Sequence, residues 1–168
     1  MPITKTRPTS VGKSTTVDAI ALLKADHTAV EQLFAEISQT RAPATKKALL
    51  AELCTLLTVH MAIEEDIFYP AVRTALKDKA LVPEAVVEHA GVRDLIAQLQ
   101  DGEPDGEVFN AKVKVLSEYV AHHVKEEHQE MFPKAKASSI DLLALGAEMA
   151  VRQQVLTAKL GSVKPVAP

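Results

Sequence analysis

The most constraining feature of this chain is an internal repeat of helical segments. The run His60-Met61-Ala62-Ile63-Glu64 to Pro70 lies over His123-Val124-Lys125-Glu126-Glu127 to Pro133, with identical spacing from histidine to glutamate to proline. Upstream, Asp26-His27 with the seven residues that follow lies over Glu88-His89 with theirs. The histidine pairs are offset by 62 and 63 residues, so each half of the chain carries one copy of a two-helix unit. A duplicated helical hairpin closes on itself with a pseudo-twofold axis, and equivalent residues gather around that axis.

Apolar spacing makes each unit helical. From Thr16 onward Ile20, Leu23, His27, Val30, Phe34 and Ile37 recur at steps of three and four. Pro43 is suited to open a second helix, whose inner face reads Leu49, Leu53, Leu56, His60, Ile63 and Ile67, with a bend at Pro70. A third helix opens near Pro83 with Ala85, His89, Val92, Ile96 and Leu99 inward. After the turn at 101–106 a fourth presents Phe109, Val113, Leu116, Val120, His123 and Glu127. Ser138 or Ser139 is placed to cap a fifth helix to about Leu160, bearing Ile140, Leu143, Leu145 and Met149, with Gly161 as its stop. The composition agrees: alanine and leucine dominate, against 4 Phe, 2 Tyr and no Trp. The expected fold is all-α, an antiparallel up-down-up-down four-helix bundle over 16–136 with the fifth helix, 137–161, packed on it. Residues 1–15 read as a disordered basic tail and 162–168 as a second disordered tail. Gly12-Lys13-Ser14 is no phosphate loop, because Arg7 stands where its first glycine belongs.

Each of the four bundle helices therefore turns one histidine inward, and two of them add a glutamate one turn later. An i to i+4 step nearly returns to the same azimuth, so His60 with Glu64 and His123 with Glu127 converge on the core axis. Carboxylates there are costly to desolvate unless paired or coordinated. Four imidazoles and two carboxylates around a twofold axis suit two metal ions, His27 with His60 on one, His89 with His123 on the other, Glu64 and Glu127 between them. A single inward histidine is ordinarily a hydrogen-bonded core residue; four at equivalent positions point to metal. His/Glu sites accept several metals, zinc and manganese among them, so the donor set alone does not choose one.

Other polar residues read as bystanders. His122, though it forms an HxxxE with Glu126, lies about 100° off the seam and faces solvent, as does His128. Glu65, Asp66, Glu126 and Glu130 read as a solvated face. Tyr119, one turn before His123, is expected to pack below the site, with a hydrogen bond to a ligand as the alternative. The lone Cys54 allows no internal disulfide and reads as a small core hydrophobe, consistent with a cytoplasmic setting. A net charge of -3 argues against a nucleic-acid partner, and no apolar run is long enough to span a membrane.

The ordered motifs Asp26-His27, His60…Glu64-Glu65…Tyr69-Pro70, Glu88-His89 and His122-His123…Glu126-Glu127…Phe132-Pro133 resemble the hemerythrin-like HHE cation-binding domains over about residues 18–135. The resemblance implies a non-haem di-iron centre, oxo- or hydroxo-bridged, with His27, His60, His89 and His123 as ligands and Glu64 and Glu127 as bridges. It implies a small oxidant as partner: dioxygen, hydrogen peroxide or nitric oxide. Peroxide decomposition, or iron or oxygen sensing without turnover, are both within the family's range. The chain departs from oxygen-carrying hemerythrins in having Arg93 where they have a fifth histidine, and Glu127 four residues after His123 where they have an aspartate five after. Glu31 is the symmetric counterpart of Arg93. These departures point to a more open site than an oxygen carrier's.

Overall fold

The computed structural model describes residues 17–161; the two tails expected at 1–15 and 162–168 lie outside the described residues. Its helices are α1 (Ala19–Gln39), α2 (Pro43–Ile63), α3 (Tyr69–Leu76), α4 (Leu81–Gln100), α5 (Glu107–Glu126), α6 (Phe132–Lys136) and α7 (Leu142–Gly161). A π-helical turn, Glu64–Phe68, joins α2 to α3, and a second, Glu127–Met131, joins α5 to α6. Among the described residues these make five rods: α1, α2 with α3, α4, α5 with α6, and α7. The first four are the expected bundle and α7 packs along it, chiefly on α1 and α2.

Local chemistry sets the ends of the helices. Asp18 caps α1 by accepting from Ala21 N at 2.8 Å, and Pro43 stands in the first turn of α2, where its missing N–H costs nothing. Lys77 takes a left-handed turn (φ 50°) to stop α3. The Asp78 carboxylate then accepts from the backbone of Ala80, Leu81 and Val82 ahead of α4, and these bonds hold its carboxyl below the usual range despite slight burial. Gly106, at φ 93°, supplies the left-handed backbone that starts α5. The cap of α7 is Asp141, whose Oδ1 accepts from Ala144 N at 3.0 Å, and neither Ser138 nor Ser139. Ser138 instead closes the preceding turn through its bond to Ala135 O.

Two apolar clusters form the core. One gathers Val30, Leu53, Leu57, Val92, Leu116 and Val120 toward the end bearing the α1–α2 loop. The other gathers Leu23, Ile63, Phe68, Tyr69, Phe132 and Met149 toward the opposite end. The inward histidines fall between them in sequence on every rod, so the polar residues form a layer across the bundle. Cys54 is buried, and burial pushes its thiol up to about 11, which makes it an inert core residue.

Three expectations are corrected. The inner face of α2 is Leu50, Leu53 and Leu57, with Leu49, Leu56 and Ile67 only half-buried. Its run of leucines is apolar on several sides, and the helix is flanked by α1, α4 and α7, so periodicity did not single out one stripe. The interruption near Pro70 is a π turn before the proline: Pro70 has no N–H for the Asp66 carbonyl, and the wider turn, closed by Tyr69 N to Glu64 O, absorbs the mismatch. Leu143 is exposed, since α7 presses on the bundle through Gly146 and Met149.

Candidate metal centre

All six residues singled out by the repeat come together in that polar layer. His27, His60, His89, His123, Glu64 and Glu127 are each at most 7% exposed. His27 and His60 bring their Nε2 atoms within 3.1 Å of each other, and His89 and His123 bring theirs within 3.2 Å. Glu64 reaches across both pairs, Oε1 lying 3.3 Å from His60 Nε2 and Oε2 3.3 Å from His89 Nε2. Glu127 Oε2 lies 3.2 Å from His27 Nε2 and 3.7 Å from His123 Nε2. The π turns begin at these two glutamates, where the helical register changes in both halves.

An outer set of side chains fixes the rings. His60 Nδ1 donates to Asp26 at 3.2 Å, His89 Nδ1 to Glu65 at 2.8 Å, and His123 Nδ1 to Glu88 at 2.7 Å. A carboxylate can only accept, so each of these Nδ1 atoms carries a hydrogen, and the Nε2 of each ring is left to face the layer, where it takes a proton in the metal-free chain or a metal ion in its place. The fourth ring differs: His27 Nδ1 meets His128 Nε2 at 2.9 Å. Inward-facing lone pairs about 3 Å apart repel unless a proton or a metal ion stands between them.

The charges of the metal-free layer follow. Burial alone lowers the His60 pKa, but the charge of the Glu64 carboxylate and the bond to Asp26 override it and raise it to about 10. His89 is raised in the same way, with Glu64 and Glu65 outweighing burial. Burial opposes ionisation of Glu64, yet His60 and His89 hold it well below the usual carboxylate range. Glu127 is raised, by burial and then by the charge of Glu64. Two buried oxygens, Glu64 Oε1 and Glu127 Oε2, have no hydrogen-bond partner among the described residues. Such orphaned acceptors, facing imidazole nitrogens, fit bound cations. The donors fall into two groups within 4.8 Å: His27, His60, Glu64 and Glu127 in one, and Glu64, His89 and His123 in the other.

Tyr69 is the site residue that the sequence reading missed. Its hydroxyl is buried, 3.1 Å from Glu127 Oε1, 3.3 Å from Glu64 Oε2, and 3.3 and 3.4 Å from His89 and His123 Nε2. Burial and the two carboxylates keep its pKa well above the usual value, so it remains a donor. The repeat held one signal for it: its counterpart is Phe132, which stacks on His27 at 6.0 Å without a hydroxyl.

Three bystander readings change, and Arg93 and Glu31 find their places. His128 is half-buried against His27, where it was expected in solvent; His122 is exposed as expected. Glu65 belongs to the outer set rather than a solvated face. Arg93 donates to Glu65 at 2.6 Å and points away from the layer. Tyr119 is 52% exposed over Gly91 and bonds no layer residue. Glu31 is exposed on the wall of a cleft of about 580 Å³ between α1 and α5, which also reaches His27.

A four-helix bundle crossed by a buried layer of four histidines and two glutamates is a cation-binding bundle. The hemerythrin HHE cation binding domain model matches residues 18–135, and the chain belongs to that family. It is similar to a solved structure, that of a hemerythrin HHE cation binding domain-containing protein, the Rv2633c homolog from Mycobacterium kansasii. The TM-score is 0.74 at 28% identity, covering 85% of this chain and 89% of that one. A curated relative, a DNA nickase from Nostoc sp. (strain PCC 7120), is 27% identical over 111 residues, which is 66% of this chain. The match takes in 31% of the nickase, so the chain spans about a third of that relative's length. No helix among the described residues is long and apolar enough to cross a membrane.

Proposed function

We propose that the buried layer holds two iron ions and brings a small oxidant, dioxygen, hydrogen peroxide or nitric oxide, to them. The observation that carries this reading is the pair of buried carboxylate oxygens without a hydrogen-bond partner, Glu64 Oε1 and Glu127 Oε2, which face the Nε2 atoms of His60 and His27 at 3.3 and 3.2 Å. His27 and His60 would hold one ion, His89 and His123 the other, and Glu64 and Glu127 would span them. Bound iron supplies electron exchange with the oxidant. The chain's own residues supply the rest. A void of about 20 Å³ touches all four imidazoles and is otherwise lined by Val30, Leu57, Met61, Val92 and other apolar side chains, a fit for a few-atom ligand and a poor one for bulk water. The Tyr69 hydroxyl donates a hydrogen bond or proton at the carboxylate side. The α1–α5 cleft leads solvent to His27.

Decomposition of two peroxide molecules to dioxygen and two waters balances without an external reductant, which makes it the activity to test first. Metal analysis and a visible spectrum of fresh protein, beside an oxygen-electrode assay with peroxide, are expected to show two irons per chain and peroxide-dependent oxygen release. A stable, reversible oxygen complex without turnover would overturn this reading, and stoichiometric zinc or manganese with no iron would overturn the choice of metal. A sensor reading is favoured by one contact: Gln153 of α7 donates to both Asp26 oxygens at 3.0 Å, so the last helix touches the residue that orients His60. Metal-dependent movement of α7 without turnover would select it. The single buried thiol fits a reducing, cytoplasmic compartment, and the net charge of -3 fits a chain that does not engage nucleic acid.

A further inference from the structure

The second HxxxE step of α5, His122 with Glu126, turns outward and meets α4. His122 Nε2 lies 3.4 Å from Glu88 Oε1 and 3.2 Å from Glu126 Oε1, with the imidazole 62% exposed. One ring nitrogen carries at most one hydrogen, yet two carboxylate oxygens converge on it. Ligands bound at about 2.1 Å stand about 3.0 to 3.4 Å apart around an octahedral or tetrahedral cation, which these separations match. Glu88 faces two ways. Its Oε1 belongs to this outer group, and its Oε2 accepts from His123 Nδ1 at 2.7 Å.

Beneath the group lies a void of about 10 Å³ lined by Glu88, Glu126, His123 and Glu127 and closed by apolar side chains. It is of the size of one water molecule or one cation. Glu127, only 1% exposed, lines its inner end, and its carboxylate oxygens turn onward into the layer, toward Tyr69 and His27. The outer group and the buried layer therefore share Glu88, which touches both, and the void lies between them at the α4–α5 seam.

We propose that Glu88, His122 and Glu126 form an outer divalent-cation site from which the buried layer is loaded. The loading role rests on the reading that the layer holds metal. Three side chains leave the remaining positions to water, so the outer ion exchanges quickly, while an ion inside the layer is held by buried donors and leaves slowly.

The test is a manganese(II) titration of the full chain, with free manganese read by electron paramagnetic resonance and chelator-resistant metal counted separately. Wild-type protein is expected to take up one rapidly exchanging equivalent beyond its resistant ones. His122→Ala, and independently Glu126→Gln, lose the rapid equivalent, keep the final content of resistant metal, and fill the layer several-fold more slowly. Both residues are at the surface, and unchanged circular dichroism checks that the fold is intact. Persistence of the rapid equivalent in the doubly substituted chain, or its loss with an unchanged filling rate, overturns the proposal. Absence of resistant metal in the wild-type chain overturns the buried centre instead, and the two counts separate these failures.

Discussion

Glu65 and His128 occupy equivalent positions in the two halves, each five residues after a buried histidine, and each closes on the Nδ1 of a histidine from the other half. Glu65 Oε1 accepts from His89 at 2.8 Å, and His128 Nε2 meets His27 at 2.9 Å. The outer set thus follows the pseudo-twofold axis in position but not in charge: three rings lean on carboxylates and the fourth on an imidazole. A carboxylate partner strengthens a histidine as a ligand more than a neutral ring does.

His128→Ala is accordingly expected to weaken metal retention by about 10- to 100-fold, the usual effect of removing an outer partner. His128→Glu restores the symmetric carboxylate and should bind more tightly than His128→Ala. Competition against a chelator measures both. Weaker binding by His128→Glu than by His128→Ala would show that added negative charge outweighs ring orientation here.

The same residue shows where sequence reading stops. The seams of α4 and α5 were legible because they alternate cleanly between apolar and polar positions, and every residue from Ala85 to Leu99 and from Phe109 to Glu127 assigned inward is buried. His128 was not legible, because an α-helical step places it about 100° from Glu127, whereas the π turn beginning there swings it back toward α1. Pro70 and Pro133 marked a disturbance in the helix without telling a bend from a wider turn. Tyr69 was hidden for another reason: buried aromatics are ordinary, and only the contrast with Phe132 marks its hydroxyl.

Tyr69→Phe removes that hydroxyl and leaves the ring packing that Phe132 shows to be acceptable. The metal-free protein is expected to lose about 1 kcal/mol, because Glu64 and Glu127 lose a donor. Metal content should be unchanged, while peroxide consumption falls by on the order of 100-fold if the hydroxyl moves a proton during turnover. Thermal melts and oxygen-electrode rates check the two parts. An unchanged rate assigns Tyr69 to packing alone.

Gly146 lets α7 approach the start of α1. A Cβ there would collide with the Val17 carbonyl and the Ala19 nitrogen, which are backbone atoms and cannot swing aside. Gly146→Ala should cost about 1 to 3 kcal/mol through overpacking. It should also pull Gln153 from Asp26 and so speed metal release. Gln153→Ala serves as the comparison, since it removes the contact without moving the helix. A Gly146→Ala chain that melts normally and releases metal at the wild-type rate would rule out this coupling.

The protons and the metal ions compete for the same nitrogens, and this sets opposite pH trends in the two forms. In the metal-free chain the His60 pKa stands at about 10 against an ordinary 6.5. Its charged form therefore stabilises the fold fully below about pH 6.5, and that contribution, on the order of 5 kcal/mol, is lost as pH rises through 10. Glu64 is held well below its ordinary 4.5, so its contribution is present above that pH and lost as pH falls further. The metal-free melting temperature should thus be highest between about pH 4.5 and 6.5 and decline toward alkaline pH. Metal requires bare imidazole nitrogens, so the extra stability of the loaded form should grow over the alkaline range where the metal-free form weakens. Paired melts with and without a chelator across this range measure the gap. A metal-free melting temperature that stays level above pH 6.5, or a gap that narrows with rising pH, would show that the layer is held by neutral hydrogen bonds and not by charge.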